Sequence, residues 1–231
     1  MTDPSRPLVL WGGTGHARVL RELAQTLGTS VAVVVDNRSM PAPFPGVSIV
    51  QGLDGLRAWL AQQPNAPEAY DFAIAVGGGY GRDRLMLASR LKDLGLAPRT
   101  LVHPAANVAV DASLQEGSQV LMGSAISACA TIGRFTIINT RASVDHDCRI
   151  GDGVHVAPGA TLCGQIQVGD GAFVAAGATI LPRLRVGADA IVGAGAIVTR
   201  DVPAGVTVMG CPARVVTKDI SPSPQGTPHL S

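Results

Sequence analysis

One short stretch of this chain concentrates groups that can move a proton. In Asn139-Thr140-Arg141-Ala142-Ser143-Val144-Asp145-His146-Asp147-Cys148, the imidazole of His146 stands between two carboxylates. A neighbouring carboxylate sets the tautomer and basicity of an imidazole, as a general base near neutral pH requires. A histidine that merely decorates a solvated corner has no need of that flanking pair. His155 follows nine residues later, and Gly164 lies eighteen residues after His146. A second chemically suggestive stretch is Gly12-Gly13-Thr14-Gly15-His16, where a glycine-rich turn offers backbone N–H groups to a phosphate.

The elements that position these groups are visible in a period of six. From Val102 to Val198 every sixth residue is Val, Ile or Leu, seventeen positions without exception, and the residue four later is Ala, Ser, Thr or Cys in thirteen of them. A period of six fits neither a helix nor a single strand. It fits a parallel β-helix, with three short strands to a triangular coil of eighteen residues and the aliphatic residues facing a narrow interior. Gly133, Gly151, Gly169 and Gly187 recur once per coil and are expected at corners that need a positive φ. The same period puts Gly164 one coil from His146, with its N–H within reach of an oxyanion that forms beside the base.

Ahead of the repeat, strands alternate with helices: strands over 7–12, 31–36 and 71–76, helices over 17–27, 53–62 and 82–94. That alternation indicates a small parallel α/β sheet. The Gly12–His16 turn joins a strand to a helix, and Asp36 ends the second strand, where a carboxylate can meet a ribose hydroxyl. Arg18 occupies the place of the third glycine of a dinucleotide fingerprint, so a mononucleotide or nucleotide-sugar is the expected ligand rather than NAD. Gly77-Gly78-Gly79, with Tyr80 and Arg82 beside it, follows the third strand and can form the other wall of such a site.

Bulk properties narrow the functions further. A net charge of +1 and 3% aromatic residues offer no basic run or stacking platform for nucleic acid and no attraction to an acidic membrane. The four cysteines form no CxxC pair and there is no signal-peptide pattern, so a cytoplasmic location is expected. Cys148 falls at an inward position, which makes a covalent acetyl-cysteine route unattractive.

GGTGHA near the start, VHPAA at the entry to the repeat, NT followed by DHD, IGDGVHVAPGA and the closing VMGCPAR resemble bacterial sugar-nucleotide acetyltransferases of the bacillosamine, perosamine and sialic-acid pathways. This resemblance implies a Rossmann-like nucleotide-sugar-binding domain over 1–98, a left-handed parallel β-helix over 99–214, and a C-terminal tail over 215–231. It implies an acetyl-CoA-dependent N-acetyltransferase that acts on a nucleotide-linked amino sugar and assembles as a homotrimer. By matching motifs, His146 is the general base, Asp147 its supporting carboxylate, and Asn139 lies beside them. His155, Ala176 and Ala194 fall on the acetyl-CoA path, and Thr14, Gly15, His16, Asp36, Asn37, Gly77 and Tyr80 on the nucleotide-sugar path. The family often has Glu at the place of Asp147, which leaves Asp145 as an alternative support. No metal is expected, because His103, His146 and His155 have phases that do not converge. O-acetylation of a sialic-acid-type sugar is the alternative within the enzyme class. A non-catalytic solenoid that binds nucleotide-sugars is the alternative from another class.

Overall fold

The computed structural model describes residues 6–216 and divides into two compact units. One comprises residues 6–76 and 89–99; the other comprises 77–88 and 100–216. Of the expected tail over 215–231, the part from residue 217 onward lies outside the described residues, while Val215 pairs with Val208.

The first unit is a five-stranded parallel sheet: β1 (Leu8–Trp11), β2 (Val31–Asp36), β3 (Ser48–Gln51), β4 (Asp71–Ile74) and β5 (Ala97–Pro98), in the order β3-β2-β1-β4-β5. β1 and β4 are buried along their whole length, as strands covered on both faces must be. Two of the three helices, α1 (Gly15–Thr26) and α2 (Gly52–Leu60), follow β1 and β3. α1 buries Ala17, Leu20, Leu23 and Ala24 on one stripe. The strand order runs outward in both directions from the β1–β4 pair. The carboxyl ends of those two strands therefore flank the crevice where open α/β sheets take ligands. The short edge strands β3 and β5 were not expected from the sequence. Ser48–Gln51 is exposed or half-exposed throughout, so it lacks the apolar run that marks a buried strand.

The second unit is a parallel β-helix. Its two-residue strands stack into three sheets, one per face of the prism, with registers such as Ala125↔Ser143 and Ser143↔Thr161, so each residue lies over the one eighteen positions on. The aliphatic residue of each strand points inward, and Val120, Ile132, Ile138, Val144, Val156, Leu162, Val174 and Ile180 are wholly buried. At the far end the spacing tightens: Ile191 pairs with Thr207 and Val186 with Val202, an offset of sixteen. The third helix, α3 (Gly81–Asp93), begins in this unit.

The coil corrects the expectation about its corner glycines. The positive-φ turn position recurs every sixth residue from Gly117 to Gly195, and half of its fourteen occupants are not glycine: Cys129, Phe135, Arg141, Asp147, Gln165, Arg183 and Asp189. Gly133, Gly151, Gly169 and Gly187 have no positive φ. They are required because successive coils press backbone against backbone there; a Cβ on Gly151 would lie 2.8 Å from the Asp170 amide nitrogen. Gly151→Ala is therefore expected to cost about 1–3 kcal/mol, the usual range for overpacking. Gly159→Ala, at φ +68° with open space around it, should cost only about 1 kcal/mol. Urea or thermal denaturation of the two variants checks the order, and the reverse order would refute the stacking explanation.

Candidate active site

His146 sits at the corner that follows the inward Val144, and its backbone is held from both sides. Its N–H donates to Asp145 Oδ1 at 2.8 Å, and its carbonyl accepts from Gln165 N–H of the next coil at 2.8 Å. Asp147 occupies the positive-φ turn position at 57°, a conformation that Asp tolerates better than most residues. That turn swings its carboxylate back beside the ring, and His146 Nδ1–H donates to Asp147 Oδ2 at 2.8 Å. The Nδ1 hydrogen leaves Nε2 with its lone pair. The Asp147 hydrogen bond is the main cause of a raised His146 pKa; desolvation opposes it, the charges of Asp145 and Asp147 add to it, and the Arg183 charge opposes it. Both side chains are about half exposed, so the ring is open to a substrate.

Gly164 lies one coil above. The imidazole rests against it so closely that a Cβ there would overlap Nε2. Gly164 is buried, and among the described residues nothing accepts a hydrogen bond from its N–H. The structure thus brings His146, Asp147 and Gly164 together. Cys148 faces inward, fully buried, with Sγ donating to Cys163 O at 3.1 Å, and burial raises its pKa. A thiol so held is a poor nucleophile.

Within one chain, Asn139 stands at a different corner of the coil from His146. Its amide lies 3.0 Å from His155 Nε2, and its Oδ1 accepts from Thr140 N–H at 2.8 Å. His155 is buried, accepts from Gly78 N–H at Nδ1 over 2.7 Å, and packs against the Phe173 ring at 5.4 Å. Ala176 and Ala194 are exposed at one corner on successive coils, joined where Gly195 N–H donates to Ala176 O at 2.9 Å. His103 stands apart, with Nδ1 accepting from Ala105 N–H at the entry turn.

The nucleotide-sugar set is divided: Thr14, Gly15, His16, Asp36 and Asn37 belong to the sheet unit, Gly77 and Tyr80 to the coil unit. Gly12, at φ +113°, approaches Ala75 too closely for any side chain. Asp36 does not stand open to a ribose. It is buried, and its oxygens accept from Gly13 N–H at 2.9 Å and from the backbone and guanidinium of Arg38 at 3.0–3.2 Å. Burial raises its pKa, but the hydrogen bonds from Arg38 and Gly13 outweigh that and lower it overall. Next to this turn, Asn37, Arg38, Gln51, Arg57 and Arg90 line a cavity of about 460 Å³. The arginines went unnoticed in the sequence because each is isolated along the chain.

Comparison with known proteins places this geometry. The bacterial transferase hexapeptide model (six repeats) matches residues 129–164, a stretch that contains Asp145–Asp147 and ends on Gly164. The solved structure of a histidine variant of perosamine N-acetyltransferase from Caulobacter crescentus, in complex with CoA and GDP-perosamine, is 36% identical. It covers 92% of this chain and 97% of its own, with a TM-score of 0.83. The chain belongs to the hexapeptide-repeat family of sugar-nucleotide acetyltransferases. Another member, the acetyltransferase domain of PglB from Neisseria gonorrhoeae in complex with acetyl coenzyme A, is 33% identical over 92% of this chain and 100% of its own (TM-score 0.81). A GDP-perosamine N-acetyltransferase of Escherichia coli is 39% identical over 95 residues, which span 41% of this chain and 42% of that protein.

Within this acetyltransferase chain, Asp147 rather than Asp145 contacts the imidazole ring. Asp147→Asn is therefore expected to lower the His146 pKa and move its titration midpoint to lower pH. Asp145→Asn should move it less. NMR titration of the His146 ring signals decides between them, and equal shifts would contradict the assignment.

Proposed function

We propose that this protein transfers the acetyl group of acetyl-CoA to the amino group of a nucleotide-linked amino sugar. The observation that carries the reading is the likeness, across nearly the whole length of both chains, to an N-acetyltransferase crystallised with CoA and GDP-perosamine. In this reading His146 Nε2 accepts the proton that the attacking amine sheds as its nitrogen bonds to the thioester carbonyl. Asp147 holds the ring in the required tautomer and stabilises the imidazolium. The Gly164 N–H, which has no acceptor among the described residues, donates to the tetrahedral oxyanion. When the carbon–sulfur bond breaks, the imidazolium returns its proton to the departing thiolate.

His155, Ala176 and Ala194 are proposed on the acetyl-CoA path, with Asn139 acting through His155. Thr14, Gly15, His16, Asn37, Gly77 and Tyr80 are proposed to contact the nucleotide-sugar, with Asp36 shaping the turn rather than touching the ribose. The finer architecture belongs to the same reading: a Rossmann-like first domain near residues 1–98, a left-handed coil near 99–214, a short tail, a homotrimer, and a cytoplasmic location.

The surface of the coil supports self-assembly. One face presents small uncharged residues such as Ser143, Thr161 and Thr179, and its bordering corners carry Val110, Met122, Pro158 and Pro182 beside the charged Arg141, Asp145, Asp147 and Arg183. Val110 and Met122 are both exposed. The remaining corner is charged, with Glu116, Arg134, Asp152 and Asp170. No helix among the described residues is long and apolar enough to cross a bilayer.

The test is release of free thiol from acetyl-CoA in the presence of a panel of GDP-, UDP- and dTDP-linked amino sugars, with sialic acid as the O-acceptor control. Release that depends on one amino sugar is expected, and His146→Ala should lower turnover about 10²–10⁴-fold with unchanged thermal unfolding. Silence across the panel, or wild-type turnover in the variant, would refute the reading.

A further inference from the structure

The first turn of α3 is held to the coil by an unusual choice of residue. Arg84 is wholly buried. Its Nε donates to Phe135 O at 3.0 Å, and a terminal nitrogen donates to Gly153 O at 2.6 Å and Val154 O at 3.2 Å. Phe135 and Gly153 are turn residues of consecutive coils. Burial pushes the Arg84 pKa down to about 10 against the pull of Asp83, so the side chain remains charged at neutral pH.

Taking a guanidinium out of water is costly, and an aliphatic residue would seat a helix with less penalty. What a planar, many-donor group adds is direction, since it engages three carbonyls at fixed places. The neighbouring contacts are equally tight. Gly81 is so close to the Gly153 carbonyl that a Cβ would overlap it, and Arg82 Nε donates to Asp189 Oδ1 at 2.8 Å. The backbone N–H of Arg84 donates to Tyr80 O at 3.1 Å, which ties the preceding loop to the same anchor. From that loop, Gly78 N–H reaches His155 Nδ1.

We propose that Arg84 is a positioning residue: it fixes the Gly77–Tyr80 loop against the coil and, through Gly78, orients the ring of His155. The consequence for catalysis rests on the acetyl-transfer reading, in which this loop contacts the nucleotide-sugar. Loss of the anchor then weakens acceptor binding while the His146–Asp147 pair, on another corner, keeps its chemistry.

The experiment compares wild type, Arg84→Met and Arg84→Lys by amide hydrogen exchange and by steady-state kinetics with the best nucleotide-linked amino sugar. In Arg84→Met, exchange over residues 77–80 should rise about tenfold or more while strands 137–138 and 155–156 stay protected. The acceptor KM should rise roughly tenfold with a smaller change in kcat and an unchanged acid limb of the pH profile. Arg84→Lys should recover part of both. Wild-type exchange in the loop, or a fall in kcat with unchanged acceptor KM, would overturn the proposal. Should Arg84→Met fail to fold, Gly81→Ala displaces the same turn with Arg84 intact, and unchanged loop exchange and acceptor KM in that variant would equally overturn it. If wild type transfers acetyl to no sugar, the acetyl-transfer reading falls, and loop exchange alone then decides whether Arg84 holds the loop.

Discussion

Backbone hydrogen bonding between one coil and the next is the interaction on which the rest depends. It holds residue i and residue i + 18 about 4.8 Å apart, the spacing of adjacent strands. Inside the prism that spacing packs Val144 on Leu162 and Ile126 on Val144, a continuous aliphatic column. Outside, it decides which side chains are allowed at each corner. Where coils touch backbone to backbone, only glycine fits; where the turn opens outward, Arg141, Asp147 and Gln165 are accepted despite their positive φ. The aliphatic ladder supplies most of the driving force, roughly 1.5–3 kcal/mol for each fully buried large side chain, and offsets the modest strain at those turns.

The same spacing builds the reactive corner. His146 cannot point its ring along the coil axis unless the residue above it lacks a side chain, and Gly164 meets that condition. The positive-φ turn at Asp147 then brings a carboxylate to the Nδ1 edge of the ring, so that Nδ1 is occupied while Nε2 lies against the glycine. The imidazole, the carboxylate beside it and the Gly164 N–H are products of one local geometry. None of them needs a long loop. The rigidity of the coil provides the pre-organisation that the proposed general-base and oxyanion roles require.

Much of this was legible in the residues. The aliphatic period revealed the coil, its interior and the vertical relation of His146 to Gly164, because those follow from a repeat with a fixed number of residues. The reason for the glycines at 133, 151, 169 and 187 was not legible. Period alone cannot distinguish a turn that needs positive φ from a close backbone contact. Asp36 was expected to meet a ribose hydroxyl; its hydrogen bonds from Arg38 were not legible, because a motif that considers only the acid does not show its partner. Asn139 was assigned by motif to the site of His146; within one chain it stands at another corner, beside His155, a relation that the linear motif does not show. Arg84 lies in a charged stretch of α3 that reads as solvent-facing, and only the tertiary structure shows it buried among coil carbonyls.

The central claim is that stacking against a bare Gly164 places the His146 ring for catalysis. Gly164 has no positive φ, so alanine is compatible with its backbone and acts only through the new Cβ, which would overlap Nε2. The most direct measurement is the turnover of Gly164→Ala beside its thermal unfolding curve. The account predicts a fold that survives and a turnover lower by about a hundredfold, the penalty of displacing a catalytic group by about an ångström. Turnover equal to wild type, with the Cβ in place, would contradict it.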